Sequence, residues 1–143
     1  MAVVKKLLYA DDDPDDRAWF AEACHMLMPE LEVVFAEGGK QVMHYLVAQP
    51  EQGLPQLIVL DLNMPDVDGR QTLQNLKASA QWAHIPVAVM SSATNRMDGL
   101  TCNRLGAAMY LQKPATYAAW QKLLQQLLPL LEKSANADKI KDG

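Results

Sequence analysis

Five aspartates fall within six residues near the start of the chain: Asp11, Asp12, Asp13, Asp15 and Asp16. Three more, Asp61, Asp66 and Asp68, fall within eight. The two clusters hold 8 of the 17 acidic residues, so charge is concentrated rather than spread. Carboxylates brought together repel one another unless a cation joins them. An all-oxygen ligand set favours a hard cation. Mg2+, which keeps several waters and needs few carboxylates, fits better than zinc. Asp11 or Asp12, Asp61 and a backbone carbonyl of the 62–64 loop would supply such a shell. An ionised aspartate can also attack phosphorus and form an aspartyl phosphate. Asp61, which closes the apolar run QLIVLD, is the candidate nucleophile. The transferred group carries charge on three equatorial oxygens, which a cation, a lysine and a hydroxyl would stabilise. Lys113 and Ser91 are the candidates for the last two.

Those residues act together only if the fold gathers them. Short apolar runs at 5–10, 31–36, 56–61, 86–91 and 108–112 alternate with amphipathic stretches at 14–27, 39–49, 69–79, 95–105 and 115–132. LLYA, LIVL and VAVM are apolar without period-2 alternation, as strands covered on both faces are. Asp13 then Pro14 reads as a helix cap followed by the first helical position. The spacing of Met97 and Leu100 fits the fourth helix, and that of Trp120, Leu124, Leu127 and Leu131 the fifth. Strands alternating with helices predict an α/β fold with a doubly wound five-stranded parallel sheet. Ligands of such sheets bind beyond the carboxyl ends of the strands. Asp11 and Asp12, Asp61, Ser91 and Lys113 each follow or end a different strand, so the unusual polar residues converge on one edge. Plainer readings exist for single positions. Asp13, Asp15 and Asp16 suit a solvated helix start, Asp66 and Asp68 suit a loop and helix cap, and Ser91 or Lys113 alone would be an ordinary surface residue.

Composition narrows the classes. The chain has 143 residues, 50% of them hydrophobic and 21% charged, which suits one globular domain. Net charge is −4, so the basic footprint of a nucleic-acid binder is absent. Cys24 and Cys102 form no metal or disulfide pattern and suit a reducing cytoplasm. No secretory signal or membrane-inserting segment is expected. An Asp-based phosphohydrolase needs a second acid two residues after its nucleophile, and Asn63 stands there. A flavin carrier needs a phosphate-cradling loop after the first strand, where three aspartates stand instead.

Four segments, LLYADDDP at 7–14, LIVLDLNMPDVDG at 57–69, PVAVMSS at 86–92 and GAAMYLQKP at 106–114, resemble the receiver domain of two-component response regulators in kind, order and spacing. The likeness spans about residues 5–132, with small single-domain regulators that partner bacterial phytochrome kinases as the nearest type. It implies the flavodoxin-like strand order 2-1-3-4-5 with five helices. By position it makes Asp61 the phospho-acceptor and assigns Mg2+ to Asp11, Asp12, Asp61 and the Asn63 carbonyl. Ser91 becomes the switch hydroxyl, Lys113 the phosphoryl-contacting lysine and Tyr110 the aromatic switch residue. It also implies a cis peptide bond before Pro114. Activity is then limited to the protein's own phosphorylation and dephosphorylation.

A receiver over 1–132 leaves a polar tail at 133–143, too short for a DNA-binding module. Output is therefore expected to be docking on a target protein or onward phosphorelay transfer. The donor would be a sensor histidine kinase or a histidine phosphotransfer protein in the cytoplasm. Two features of the last helix stand out. Ala119, Leu123 and Leu130 widen its apolar sector, and Pro129 should kink or end it near 125–128, turning Leu130 and Leu131 from the core. A homodimer through the 95–132 face is the resulting expectation.

Overall fold

The computed structural model describes the backbone of residues 5–92 and 96–142 and the side chains of residues 5–92 and 98–132. Residue 95 and the Met97 side chain, included in the expected fourth helix, lie outside this set, as do residues 93–94 and the side chains of the 133–143 tail. The strands are β1 (Lys6–Ala10), β2 (Glu32–Ala36), β3 (Leu57–Asp61), β4 (Val87–Ser91) and β5 (Met109–Gln112). The helices are α1 (Pro14–Leu27), α2 (Gly39–Ala48), α3 (Gly69–Ala78), α4 (Arg96–Arg104) and α5 (Tyr117–Asp142), with a 3-10 turn at Glu51–Gly53.

All strand pairs are parallel and run in the order β2-β1-β3-β4-β5. The predicted doubly wound sheet is therefore present. Continuous apolar strands fit it because each is covered twice: β3 and β4 are buried at every position. Alternate side chains enter two cores. Leu8, Ile58, Leu60, Val87 and Val89 pack with Val42, Leu46, Leu73 and Leu76 of α2 and α3. Leu7, Tyr9, Leu57, Val59 and Met90 pack with Phe20 of α1 and Trp120, Leu124 and Leu127 of α5.

Local chemistry sets the helix starts. Asp13 caps α1 by accepting from the Asp15 amide at 2.9 Å, with Pro14 at the first helical position. Asp68 caps α3 by accepting from the Arg70 amide at 2.8 Å. Gly69 follows because α3 starts against β3: a Cβ there would lie 2.6 Å from the Asp61 carbonyl and 2.7 Å from Leu62 Cα.

Three expectations are corrected. Helix α5 neither stops nor turns its leucines outward at Pro129, which lies inside Tyr117–Asp142. Leu131 is fully buried, packed in the cluster that holds Leu7 and Leu127. Pro129 and Gln125 are on the exposed side of the helix. The carbonyl that loses its amide partner thus faces water, while Leu124, Leu127 and Leu131 hold the helix on both sides of the proline. Leu123 is buried too, at 3% exposure, and adds nothing to an outer apolar sector. Finally, the described residues contain no cis peptide bond, so Pro114 follows a trans bond, the lower-energy form of an X–Pro peptide.

Candidate functional site

Sheet register gathers the polar residues. Ala10 pairs with Leu60, so Asp11 follows β1 beside Asp61 at the end of β3. Asp61 pairs with Met90, and Ser91 with Gln112, so Ser91 and Lys113 continue the row. The Lys113 amide donates to the Ser91 carbonyl at 2.7 Å, tying the chain after β5 to the end of β4.

Asp11 is fully buried and Asp61 is 2% exposed. Asp12 is exposed at the mouth. Ligand oxygens of Asp11, Asp12 and Asp61 lie within 4.8 Å of one another. The Lys113 ammonium is 3.0 Å from Asp61 Oδ2, 2.9 Å from Asp11 Oδ2 and 2.7 Å from Asp16 Oδ2. One cation thus faces three carboxylates, and Asp12 brings a fourth. Three negative charges remain over, and two of the four carboxylates are buried, which favours a further cation. An all-carboxylate set with an exposed member that leaves room for water suits a hard divalent metal.

The individual groups are held in place. The Asp11 Oδ1 atom accepts from the Asp13 amide at 3.0 Å, and its Oδ2 accepts from the Tyr9 hydroxyl at 2.8 Å. The Arg17 guanidinium donates to the Asp11 carbonyl at 2.8 Å. Asp61 Oδ1 accepts from the Asn63 amide at 3.0 Å. Burial raises the Asp61 carboxyl above its ordinary range, against the opposing pull of the Asn63 amide and Lys113. Burial likewise raises Asp16, although Lys113 opposes it. Burial alone would lower the Lys113 ammonium, but bonds to Asp16, Asp11 and Asp61 outweigh it and push it up. Desolvation pushes the Tyr9 phenol far up, helped by the charge of Asp11, so it stays a hydrogen-bond donor.

Every expected site residue has a described place. Asp11, Asp12, Asp61 and Lys113 converge. Asn63 is exposed on the following loop, with its amide on Asp61. Ser91 is 4% exposed at the end of β4. Tyr110 lies one strand further on, half-buried in β5 and packed against the α2–α3 core. Two participants were not assigned from sequence. Tyr9 lies two residues before Asp11, hence on the same strand face, a period-2 signal that was readable. By sequence Asp16 suits a solvated helix start, yet it makes the shortest contact to the Lys113 ammonium. Nothing in an acid run distinguishes that member from its neighbours.

A family model described as the response regulator receiver domain matches residues 7–125. Response regulator Rcp1 of Synechocystis sp. is 29% identical over 124 residues, which is 85% of this chain and 84% of that protein. The Mn(2+)-bound form of Rcp1 superposes with a TM-score of 0.76 at 28% identity, covering 86% of this chain and 91% of that one. The phosphorylated cyanobacterial phytochrome response regulator RcpA superposes with a TM-score of 0.78 at 30% identity, covering 86% and 90%. Among the described residues no helix is long and apolar enough to cross a membrane.

Proposed function

The chain belongs to the response regulator receiver domain family, and from that premise we propose that it accepts a phosphoryl group on Asp61 from a histidine donor. The observation that carries this reading is the buried Asp61 carboxylate, 3.0 Å from Lys113 and grouped with Asp11 and Asp12. An Asp61 carboxylate oxygen forms a bond to phosphorus as the phosphorus–nitrogen bond to the donor imidazole breaks. The released imidazole takes up a proton. Lys113 neutralises one phosphoryl oxygen, and Ser91 donates its hydroxyl to another.

Asp11, Asp12, Asp61 and the Asn63 carbonyl are the residues that would hold Mg2+, which supplies charge neutralisation at the phosphoryl oxygens. Tyr9 and the Asp13 amide hold Asp11 in orientation for that role. The donor is a sensor histidine kinase or a histidine phosphotransfer protein. The phytochrome association in the name of the similar RcpA favours a phytochrome-type kinase. Signalling proceeds by a phosphorylation-dependent protein contact or by onward transfer, in the cytoplasm and without nucleic acid. A homodimer through the 95–132 face rests on Leu100, 47% exposed on α4, and on half-buried Leu130, without Leu123.

The test is incubation with acetyl phosphate or phosphoramidate in the presence of Mg2+. One phosphoryl group should appear on Asp61, and Asp61→Asn or removal of the metal by chelation should abolish it. Label on a serine or histidine would overturn the assignment.

A further inference from the structure

Lys113 has three ammonium protons to donate, and three carboxylates take them. Two of these, Asp11 and Asp61, belong to the group able to hold a divalent cation. A cation binding there competes with Lys113 for the same two carboxylates. The third partner, Asp16, lies outside that group and is the nearest of the three, at 2.7 Å. It stands in the first turn of α1, where the helix N-terminus favours a fixed carboxylate. Its side chain is 20% exposed and that of Lys113 is 12% exposed, so the contact is shielded rather than fully solvated. Without it, a lysine stem with four rotatable bonds would be drawn toward water once a metal claimed its other partners.

We propose that Asp16 is a positioning residue for Lys113, holding the ammonium beside Asp61 while a divalent cation occupies Asp11 and Asp61. This rests on the reading of Asp61 as phospho-acceptor. Asp16 touches neither metal nor phosphorus; it acts through the lysine. A mere negative charge at the pocket mouth would have the opposite effect. It would repel an anionic donor, and its removal would speed phosphorylation.

The experiment compares the full-length chain with Asp16→Asn and Asp16→Glu at saturating Mg2+. The rate of Asp61 phosphorylation by phosphoramidate is measured together with the proton–nitrogen NMR signal of the Lys113 ammonium. Asp16→Asn should slow phosphorylation by about tenfold to a hundredfold, since a 1 Å misplacement of a positioned group can cost about 100-fold. It should also erase the Lys113 signal on addition of Mg2+, while Asp16→Glu retains the signal and recovers rate. An Asp16→Asn protein that is phosphorylated as fast as the parent or faster, with the Lys113 signal intact under Mg2+, overturns the proposal. If the parent chain takes no phosphoryl group on Asp61, the acceptor reading fails instead. The NMR arm then still decides the role of Asp16: loss of the signal in Asp16→Asn under Mg2+ upholds it, and persistence overturns it.

Discussion

Asp66 caps a helix that begins 27 residues before it: its Oδ1 accepts from the Gly39 amide at 3.1 Å, and its Oδ2 accepts from the Lys40 amide at 3.1 Å. Helix α2 has no side-chain cap of its own, since Gly38 occupies that position, and no acid in its first turn. A Cβ at Gly38 would run into the Asp66 carboxylate. The loop that leaves Asp61 is thereby fastened to the start of α2, which packs on the same face of the sheet as α3. Asp66→Ala should cost about 1 kcal/mol of unfolding free energy, the usual worth of an N-cap, measured by urea denaturation. Gly38→Ala should destabilise by displacing the same carboxylate.

The pH dependence of that cap has a defined sign. Slight burial would raise the Asp66 carboxyl, but the amides of Val67, Lys40 and Gly39 outweigh it and lower it below its ordinary 3.8. A lowered folded-state value gives stability that is present above the unfolded value and lost as pH falls through the folded one. The gap in stability between the parent and Asp66→Ala should therefore be full at neutral pH and shrink below about pH 4. A gap that stays constant from pH 7 to pH 3 would exclude the cap as its source.

Tyr110 and Gly99 define a second test. A Cβ at Gly99 would lie 3.2 Å from Tyr110 Cδ1, so the glycine leaves a shallow seat for the ring on α4. If phosphorylated Asp61 draws the Ser91 hydroxyl and lets Tyr110 turn inward, the ring leaves that seat. Gly99→Ala crowds only the seated position, and alanine is the better helix former by about 1 kcal/mol. It should shift the ring toward the inward position before any phosphorylation. Ser91→Ala should leave phosphorylation largely intact and blunt the response. NMR shifts of the Tyr110 ring, with and without beryllofluoride, measure both. Identical responses in Ser91→Ala and the parent would break the proposed coupling.

Tyr9→Phe tests the orientation of Asp11. Among the described residues, the lost hydroxyl leaves Asp11 Oδ2 with Lys113, and removing one partner of a buried carboxylate costs about 1–3 kcal/mol. The ring itself stays packed on Phe20, with centroids 4.1 Å apart. Mg2+ affinity, followed by calorimetry, should drop several-fold while the fold persists. An unchanged affinity would show that Asp13 and Lys113 suffice to hold the carboxylate.

The sequence reveals more of the sheet than of the site. Strands such as LIVLD are unbroken apolar runs, and Asp13–Pro14 and Asp68 mark the starts of α1 and α3, so element ends agree to within about two residues, except that α5 runs on to Asp142 instead of ending at 132. Asp11, Asp61 and Lys113 were legible because strand ends of a parallel sheet share one edge. Asp16 was not, since its partner lies 97 residues along the chain and helix-start acids all look alike. The capping role of Asp66 was half legible, because its loop place was expected and its reach to α2 was not. The stop expected at Pro129 fails because the cost of a helical proline depends on its exposure, which the sequence does not show. A proline on the water side of a helix whose opposite side is anchored by Leu124, Leu127 and Leu131 need not end it.

That packing also fixes how the homodimer must be tested. Leu123 is 3% exposed, so a glutamate there would bury a charge in the α1–α5 core and unfold the chain rather than report on an interface. Leu100, at 47% exposure on α4, carries no such burden. Leu130 is half-buried against the α1–α5 core. A symmetric dimer places each of these positions against its copy's face, so a charge at Leu100 is introduced on both subunits at once. Leu100→Glu should therefore abolish association while leaving thermal stability within about 0.5 kcal/mol, as for surface substitutions generally. It should also leave Asp61 phosphorylation unchanged. Sedimentation of the beryllofluoride-treated chain at high micromolar concentration should show a dimer for the parent and a monomer for Leu100→Glu. A parent that sediments as a monomer with and without beryllofluoride removes the dimer, and a Leu100→Glu dimer moves the interface off α4.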